Sequence, residues 1–275
     1  MKIKKLYKYT NKRRIWRLIP TASNKLVIEE RDGDTKEVFF ECIDIPSGKK
    51  IFHALQIEEK YWLGIETIYN DVIFFHRYAN REMPVHNGII ALDINTQKIL
   101  WQNDDYVFLF IWENKIYCYK SAFEGRKYFT VDIYSGEFIE DLGEDSESIN
   151  LLREKSFDSI DYSSYLFPEP FEAGTDEDSP LHSLITKFKE DHLITGKPDF
   201  IKYGDLALFN AHAILSDGFL RNTFWGIDIL TKKIIFEEEL NSKTKTFIPD
   251  SFFTKDNFLF LLKEKNILSV CLIIK

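Results

Sequence analysis

The side chains here best suited to chemistry are six histidines: His53, His76, His86, His182, His192 and His212. His76 and His86 flank the turn "RYANREMPV", which would let them approach each other across a hairpin. Two imidazoles so placed are the beginning of a metal site, but metal sites take three or four ligands. Two fall short of that number, so both are read as ordinary surface histidines and no metal is expected. A second set is defined by position. Glu30, His76, Lys120 and Asn210 each stand six residues after a polar corner, near Asn24, Asn70, Asn114 and Gly204. If one of the four lines a ligand site, the others should line it too. The usual active-site words are missing: no G-x-S-x-G, no phosphate-binding glycine loop, no H-E-x-x-H and no C-x-x-C. No catalytic residue is therefore named, and an enzyme is the less favoured expectation. "RDGDTKE" from Arg31 opens like a calcium loop but lacks the later acids and the distant glutamate, so it is read as a hairpin turn.

The elements that must carry these side chains repeat. Four segments share one register: "CIDIPSGKKIF" from Cys42, "ALDINTQKILW" from Ala91, "TVDIYSGEFIE" from Thr130 and "GIDILTKKIIF" from Gly226. In each, an aspartate (Asp44, Asp93, Asp132, Asp228) is followed by isoleucine and, three places on, by a small hydroxyl residue. This is a hairpin whose corner the carboxylate pins, by accepting from a backbone N–H two residues on. Gly48 and Gly136 fall where a three-residue hairpin wants a left-handed residue. The four aspartates are thus read as structural turn pins. Before each comes another hairpin around the corners given above, and a fifth, "FFTKDNFLFLLKE", turns near Asp256.

The corners are spaced by 46, 44, 90 and 52 residues, and 90 is about two periods. Four-stranded units at that period are the mark of a β-propeller. The last unit supplies three strands, so the N-terminal "IKKLYKYT" is expected to complete it and close the ring. The segment Ile89 to Trp101 resembles the quinoprotein-type propeller repeat, with its "ALD", a threonine turn and a lysine-x-leucine-tryptophan strand; the other three copies match in part. The resemblance implies architecture. Its carriers include cofactor-dependent alcohol dehydrogenases, outer-membrane assembly scaffolds and small bacterial proteins of unknown role. The enzymes among them use adjacent cysteines and a calcium-bearing cofactor site. Cys42, Cys118 and Cys271 are far apart, so no cofactor is expected and the three are read as buried free thiols.

Residues 144–199 break the period. Between Glu137 and Asp178 stand fourteen acids and only two basic residues, Arg153 and Lys155, together with several prolines. A helix should follow, capped by Ser179, begun at Pro180 and ended by Gly196 and Pro198. The alternatives are a degenerate sixth blade or an insertion on a five-bladed ring, and prolines with a helix favour the insertion. Tyr162, Tyr165, Phe167 and Phe171 are too many aromatics for a solvent loop and should pack on the propeller. The pairs Trp62/Trp112 and Trp16/Trp225 are read as packing between blades rather than as stacking platforms for sugars.

The expected whole is an all-β chain: one propeller domain over residues 1–275, with five four-stranded antiparallel blades, six as the alternative, and an irregular, helical insertion. With 44% hydrophobic residues it can bury a large core. A net charge of -8 argues against affinity for nucleic acid or anionic membrane, and no apolar run reaches the ~20 residues of a membrane span. A cytoplasmic monomer is expected. Its function is read as a non-enzymatic scaffold that offers loops and the acidic insertion to a protein partner. The alternative is a small-ligand-binding or hydrolytic propeller with its site at the funnel mouth.

Overall fold

The structure is a computed structural model that describes residues 1–78, 85–123, 125–171 and 180–275. The expected cap Ser179, the acids Glu172, Asp176, Glu177 and Asp178, and the middle of the turn between His76 and His86 lie outside the described residues. The chain opens with β1 (Lys2–Thr10) and continues with three sets of four strands. The first is β2 (Arg14–Pro20), β3 (Lys25–Arg31), β4 (Val38–Asp44) and β5 (Lys50–Leu55). The second is β6 (Leu63–Tyr69), β7 (Val72–Tyr78), β8 (His86–Asp93) and β9 (Ile99–Asn103). The third is β10 (Val107–Trp112), β11 (Lys115–Ala122), β12 (Gly125–Asp132) and β13 (Phe138–Gly143). After it come α1 (Ser146–Asp158), the short strands β14 (Tyr165–Leu166) and β15 (Glu169–Pro170), and α2 (Pro180–Asp191). A fourth set follows: β16 (Ile194–Tyr203), β17 (Leu206–Ile214), β18 (Leu220–Asp228) and β19 (Lys233–Thr244). The chain finishes with β20 (Phe252–Lys255), β21 (Phe258–Lys263) and β22 (Ile267–Ile274).

Packing divides the chain into two compact units, Arg13–Asp161 and Met1–Lys12 with Tyr162–Lys275. The first unit holds three antiparallel sheets, each a simple up-and-down meander. Alternation along β7 shows how they stack: Ile73 and Phe75 face the first sheet's Val27, Phe40 and Cys42, while Val72 and Phe74 face the third sheet's Ile116 and Cys118. Both faces of the middle strands are therefore apolar, which is why "VIFF" reads as an unbroken run. Burying one such side chain contributes about 1.5–3 kcal/mol. The outer face of the third sheet, with Tyr117, Tyr119 and Tyr128, packs against Ile149 of α1. Asp145 caps α1 by accepting from the N–H groups of Glu147 and Ser148. That helix is not foreseen in the sequence, where the expected helix begins at Pro180.

The second unit holds two sheets. One has the order β15-β16-β17-β18-β19, the other β1-β22-β21-β20-β14. The N-terminal strand does pair with the last one, antiparallel from Lys2 opposite Ile274 to Thr10 opposite Ile267. The two sheets meet through Leu208 and Phe224 on one side and Leu259, Leu261 and Cys271 on the other. Phe188 of α2 covers the remaining face of the fourth sheet, against Phe209 and Trp225. The expected packing of the aromatics is found for three of the four, whereas Tyr162 is 56% exposed and meets Tyr165 of its own segment. Tyr165 stacks on Phe167, Phe167 on Phe253, and Phe171 meets Phe200 edge-on.

The aspartate corners are pins, with one change of geometry. Asp44, Asp93, Asp132 and Asp228 accept from the N–H three residues on, at Ser47, Thr96, Ser135 and Thr231. Asp132 also takes the N–H two residues on, at Tyr134. The loop is four residues long, since Asp44 N–H donates to Lys49 and Asp93 N–H to Lys98. Its last residue is left-handed whatever its type: Gly48, Gln97, Gly136 and Lys232 have φ of 69°, 60°, 69° and 56°. "RDGDTKE" is the same turn again, Asp32 accepting from Asp34 and Thr35.

The insertion is shorter than 144–199, because the fourth sheet already begins at Ile194. Gly196 and Pro198, read as the end of a helix, instead form a bulge in β16, where the register jumps between Thr195 and Asp199. A bulge is one of the few places inside a sheet that tolerates proline. All three cysteines are buried and unpaired. Burial pushes the thiols of Cys42 and Cys271 up to about 12. Among the described residues no helix is long and apolar enough to cross a membrane.

Candidate functional site

Pairing gives the true register of the four expected ligand residues. Lys25, Val72, Lys115 and Leu206 are equivalent, each opposite its turn aspartate. Counted from them, Glu30 matches Lys120, but His76 and Asn210 match Glu29 and Tyr119. A one-residue offset in a strand moves a side chain to the other face, so the four do not share a side. The cause lies in the corners. The carbonyls that accept from Ile45, Ile94 and Ile229 belong to Asn24, Asp71 and Asp205, so two corners start one residue later than the asparagine or glycine that marks them.

Each of the four has its own surroundings. Glu30 is wholly buried and accepts from Arg13 Nε at 2.9 Å. Lys120 is exposed, lies over the Tyr106 ring and faces Asp105 at 3.5 Å. Asn210 is buried in the other unit and donates to Asn222 Oδ1 at 2.9 Å. Asn222 in turn donates to Asn241 and Ser251. His76 is 1% exposed, which overturns the surface reading.

His76 belongs to a cluster on three adjacent strands: Glu66 of β6, His76 of β7 and His86 of β8. Glu66 Oε1 lies 3.0 Å from His76 Nδ1 and 2.7 Å from His86 Nδ1. The two imidazoles stack nearly parallel, with centroids 3.5 Å apart and planes 8° apart. Tyr78 meets both rings edge-on. The bond from His86 is well formed, whereas neither ring nitrogen of His76 has a partner in hydrogen-bonding alignment. Burial by itself would raise the Glu66 carboxyl, but the close approach of His76, followed by the charge and hydrogen bond of His86, outweighs it and holds it below the usual carboxylate range.

Two bulges aim these side chains. Glu66 is the unpaired residue between Ile65 and Thr67, which face Phe75 and Phe74. In β8 the register slips between the pairs Phe75–Ile90 and Arg77–Asn87, at Gly88, whose φ is 72°. Bulges bend a strand and re-aim a side chain. Gly64 completes the seat, because a Cβ there would stand 2.8 Å from His76 Cε1 and Nε2. The same pair of positions touches in other sheets. Arg126 lies over Tyr119 in the third, and Asn210 bonds Asn222 in the fourth. The residue on the third sheet's matching bulge, between Phe108 and Phe110, is Leu109. Glu66 escapes the sequence reading because alternation fails at a bulge, and the histidine spacing is its one sequence signal.

A second buried polar group lies in the first sheet. Glu29, Glu30 and Glu41 are all 0% exposed and are met by Arg31, Arg13 and His53 respectively. The basic start of the chain thus finds acids in sheets, with Arg17 also near Glu29 and Lys5 on Glu238. The tryptophans expected between blades divide: Trp225 is buried, while Trp16 and Trp62 are 52% and 38% exposed. Trp62 lines an open groove of about 600 Å³ with Tyr61, Arg31, Asp32 and Lys36.

The profile of a family described as "Domain of unknown function (DUF4905)" matches residues 19–101, which hold β3 to β8 and this cluster. No curated protein matches the chain. Among solved structures it is similar to the β-propeller domain of the trilobed protease from Pyrococcus furiosus, described as having an open velcro topology. That alignment has 14% identity, covers 94% of this chain and 66% of the other, and has a TM-score of 0.32. The acylaminoacyl peptidase of Pyrococcus horikoshii aligns at 11% identity over 94% of this chain and 36% of its own, TM-score 0.29. The Dos1 propeller aligns at 10% identity over 96% of this chain and 54% of its own, TM-score 0.27. The chain spans less than two thirds of the length of these proteins.

Proposed function

We propose that the chain is a five-bladed β-propeller serving as a non-enzymatic, cytoplasmic scaffold, which binds a protein partner through the segment between β13 and β16. The blade reading is supported by the recurring four-strand meander, by face-to-face stacking within each unit and by the likeness of Ile89–Trp101 to quinoprotein-type repeats. One observation carries the functional reading. Leu166, Phe167, Pro170 and Phe171 of the inserted segment, with Phe200, line an open groove of about 430 Å³. Phe167 is 57% exposed there although it stacks between Tyr165 and Phe253. An aromatic ring held rigid and left half in water costs little ordering when a partner covers it. Glu169, beside it, and the acidic excess of the segment fit a partner with a basic, apolar surface.

The test is affinity purification of wild type, Phe167→Ala and a control, Phe123→Ala, from cells of the source organism. A protein retained by wild type and control but lost with Phe167→Ala supports the reading. Identical profiles for all three overturn it. Phe167→Ala removes two ring contacts and should cost about 1–3 kcal/mol, so circular dichroism of the variant matching wild type is the check that a lost partner does not reflect unfolding.

A further inference from the structure

A separate feature of the first unit points to an activity the scaffold reading does not contain. Glu66, His76 and His86 present one carboxylate oxygen and two imidazole nitrogens within 4.8 Å of one another. From this donor set we infer that they form a binding site for one divalent transition-metal ion of the zinc class, ligated by Nδ1 of both histidines and by the Glu66 carboxylate.

Donor chemistry comes first. Two neutral imidazoles and one carboxylate suit zinc and its neighbours, whereas magnesium and calcium want shells of oxygen. Geometry comes next. Bonds of about 2.0–2.1 Å in a tetrahedral site put ligand atoms roughly 3.3 Å apart. The present separations from Oε1, 3.0 and 2.7 Å, need to open by only a few tenths of an ångström, but a metal lies in the plane of each imidazole it binds, so the His86 ring must also turn out of its parallel stack on His76. His86 can move, since it begins β8 and is 40% exposed, while His76 is fixed between Gly64 and the stacked ring. A third, independent observation is the state of His76. Its two ring nitrogens are buried without an aligned partner, and leaving buried polar atoms so is costly unless something else fills the place. A metal ion at Nδ1 would satisfy one of them.

The cluster is also particular to this sheet. At the matching positions the third sheet carries Leu109, Tyr119 and Arg126, and no such set can hold a metal. The recurring bulge and the recurring contact belong to the blade; the three donors belong to the second sheet alone among those two. With three protein ligands and the exposed edge of His86 facing solvent, a fourth position remains for water or a ligand atom. The rival reading is a proton shared between Glu66 and the two imidazoles with no ion bound.

The full-length chain, stripped with chelator and freed of it, would be titrated with zinc chloride by calorimetry at pH 7.5, with bound metal counted by elemental analysis after dialysis. Cobalt(II) serves as a spectroscopic probe, because a tetrahedral site gives visible absorption. The expected result is one equivalent per chain, visible cobalt bands, and no uptake of magnesium. Glu66→Gln and His86→Ala should each weaken zinc by roughly tenfold or more, while His53→Ala, a histidine outside the cluster, should bind as wild type. Should Glu66→Gln unfold by circular dichroism, His86→Gln on the exposed side carries the comparison. Failure of wild type to take up zinc, or equal uptake by wild type and both cluster variants, overturns the inference in favour of the shared proton. Neither result depends on the protein partner.

Discussion

Glu66 is placed by a bulge and held by two rings, so its contribution to the fold should depend on pH in a defined direction. Its folded carboxyl titrates below the ordinary value of 4.5. A depressed folded pKa contributes stability that is present above the unfolded value and is lost as pH falls through the folded one. Glu66→Gln should therefore be less stable than wild type at neutral pH. The difference should narrow as pH drops below 4.5, in urea melts recorded without metal. A gap that stays constant down the acid limb would contradict the assignment. Gly64 is the other residue on which the cluster turns. Gly64→Ala puts a methyl 2.8 Å from the His76 ring, which cannot retreat into the stacked His86. A cost of about 1–3 kcal/mol is expected, as for other overpacked sites, read as a lower urea midpoint with unchanged slope.

The Asp-Ile-x-Ser/Thr corner is the element the chain reuses, and its copies differ in how well they suit their own backbone. The fourth loop position is left-handed in all of them, but it is glycine in two, glutamine in one and lysine in one. A side chain there carries strain that glycine does not. Lys232→Gly is thus expected to raise stability by up to about 1 kcal/mol. Gly136→Ala should lower it by more than about 1 kcal/mol, for it adds both the strained φ and a Cβ 2.5 Å from Trp101. Thermal melts of the two variants side by side would check the opposite signs. At the carboxylate end, the N–H of Ser135, followed by that of Tyr134 and the Ser135 hydroxyl, holds Asp132 below the usual range. Asp132→Ala should cost about 1 kcal/mol, the net worth of a hydrogen bond of this kind.

At the scale of the molecule, the first strand and the last three make one sheet although most of the chain lies between them. β1 contributes Ile3 to the core shared with the fourth sheet, where the Ile3 side chain fills the space left by the missing Cβ of Gly226. Its Lys5 reaches Glu238, which Lys263 also meets. Removing residues 1–12 would expose the edge of β22 and open that core. The truncated chain should therefore aggregate or melt well below wild type, at least 5 °C lower by rough proportion to a loss of several kcal/mol. Melting at the wild-type temperature would show that β1 is dispensable.

The sequence by itself determined the local grammar. Alternating apolar runs, polar corners and the four aspartates specify hairpins through short-range hydrogen bonds and left-handed loop positions, and these were legible because each signal lies within about ten residues of its partner. The pairing of "IKKLYKYT" with "ILSVCLIIK" was legible too, as the one strand the repeat leaves over. Tertiary structure decided what depends on register and bulges. Asp71 rather than Asn70 is the corner residue that leads into β7, and that one step puts His76 out of line with Glu30 and Lys120. Glu66 sits where alternation is broken, so only folded strands bring it to both histidines. Side-chain direction in a sheet reverses with every residue, and an error of one, harmless to the outline of the fold, decides which donors meet.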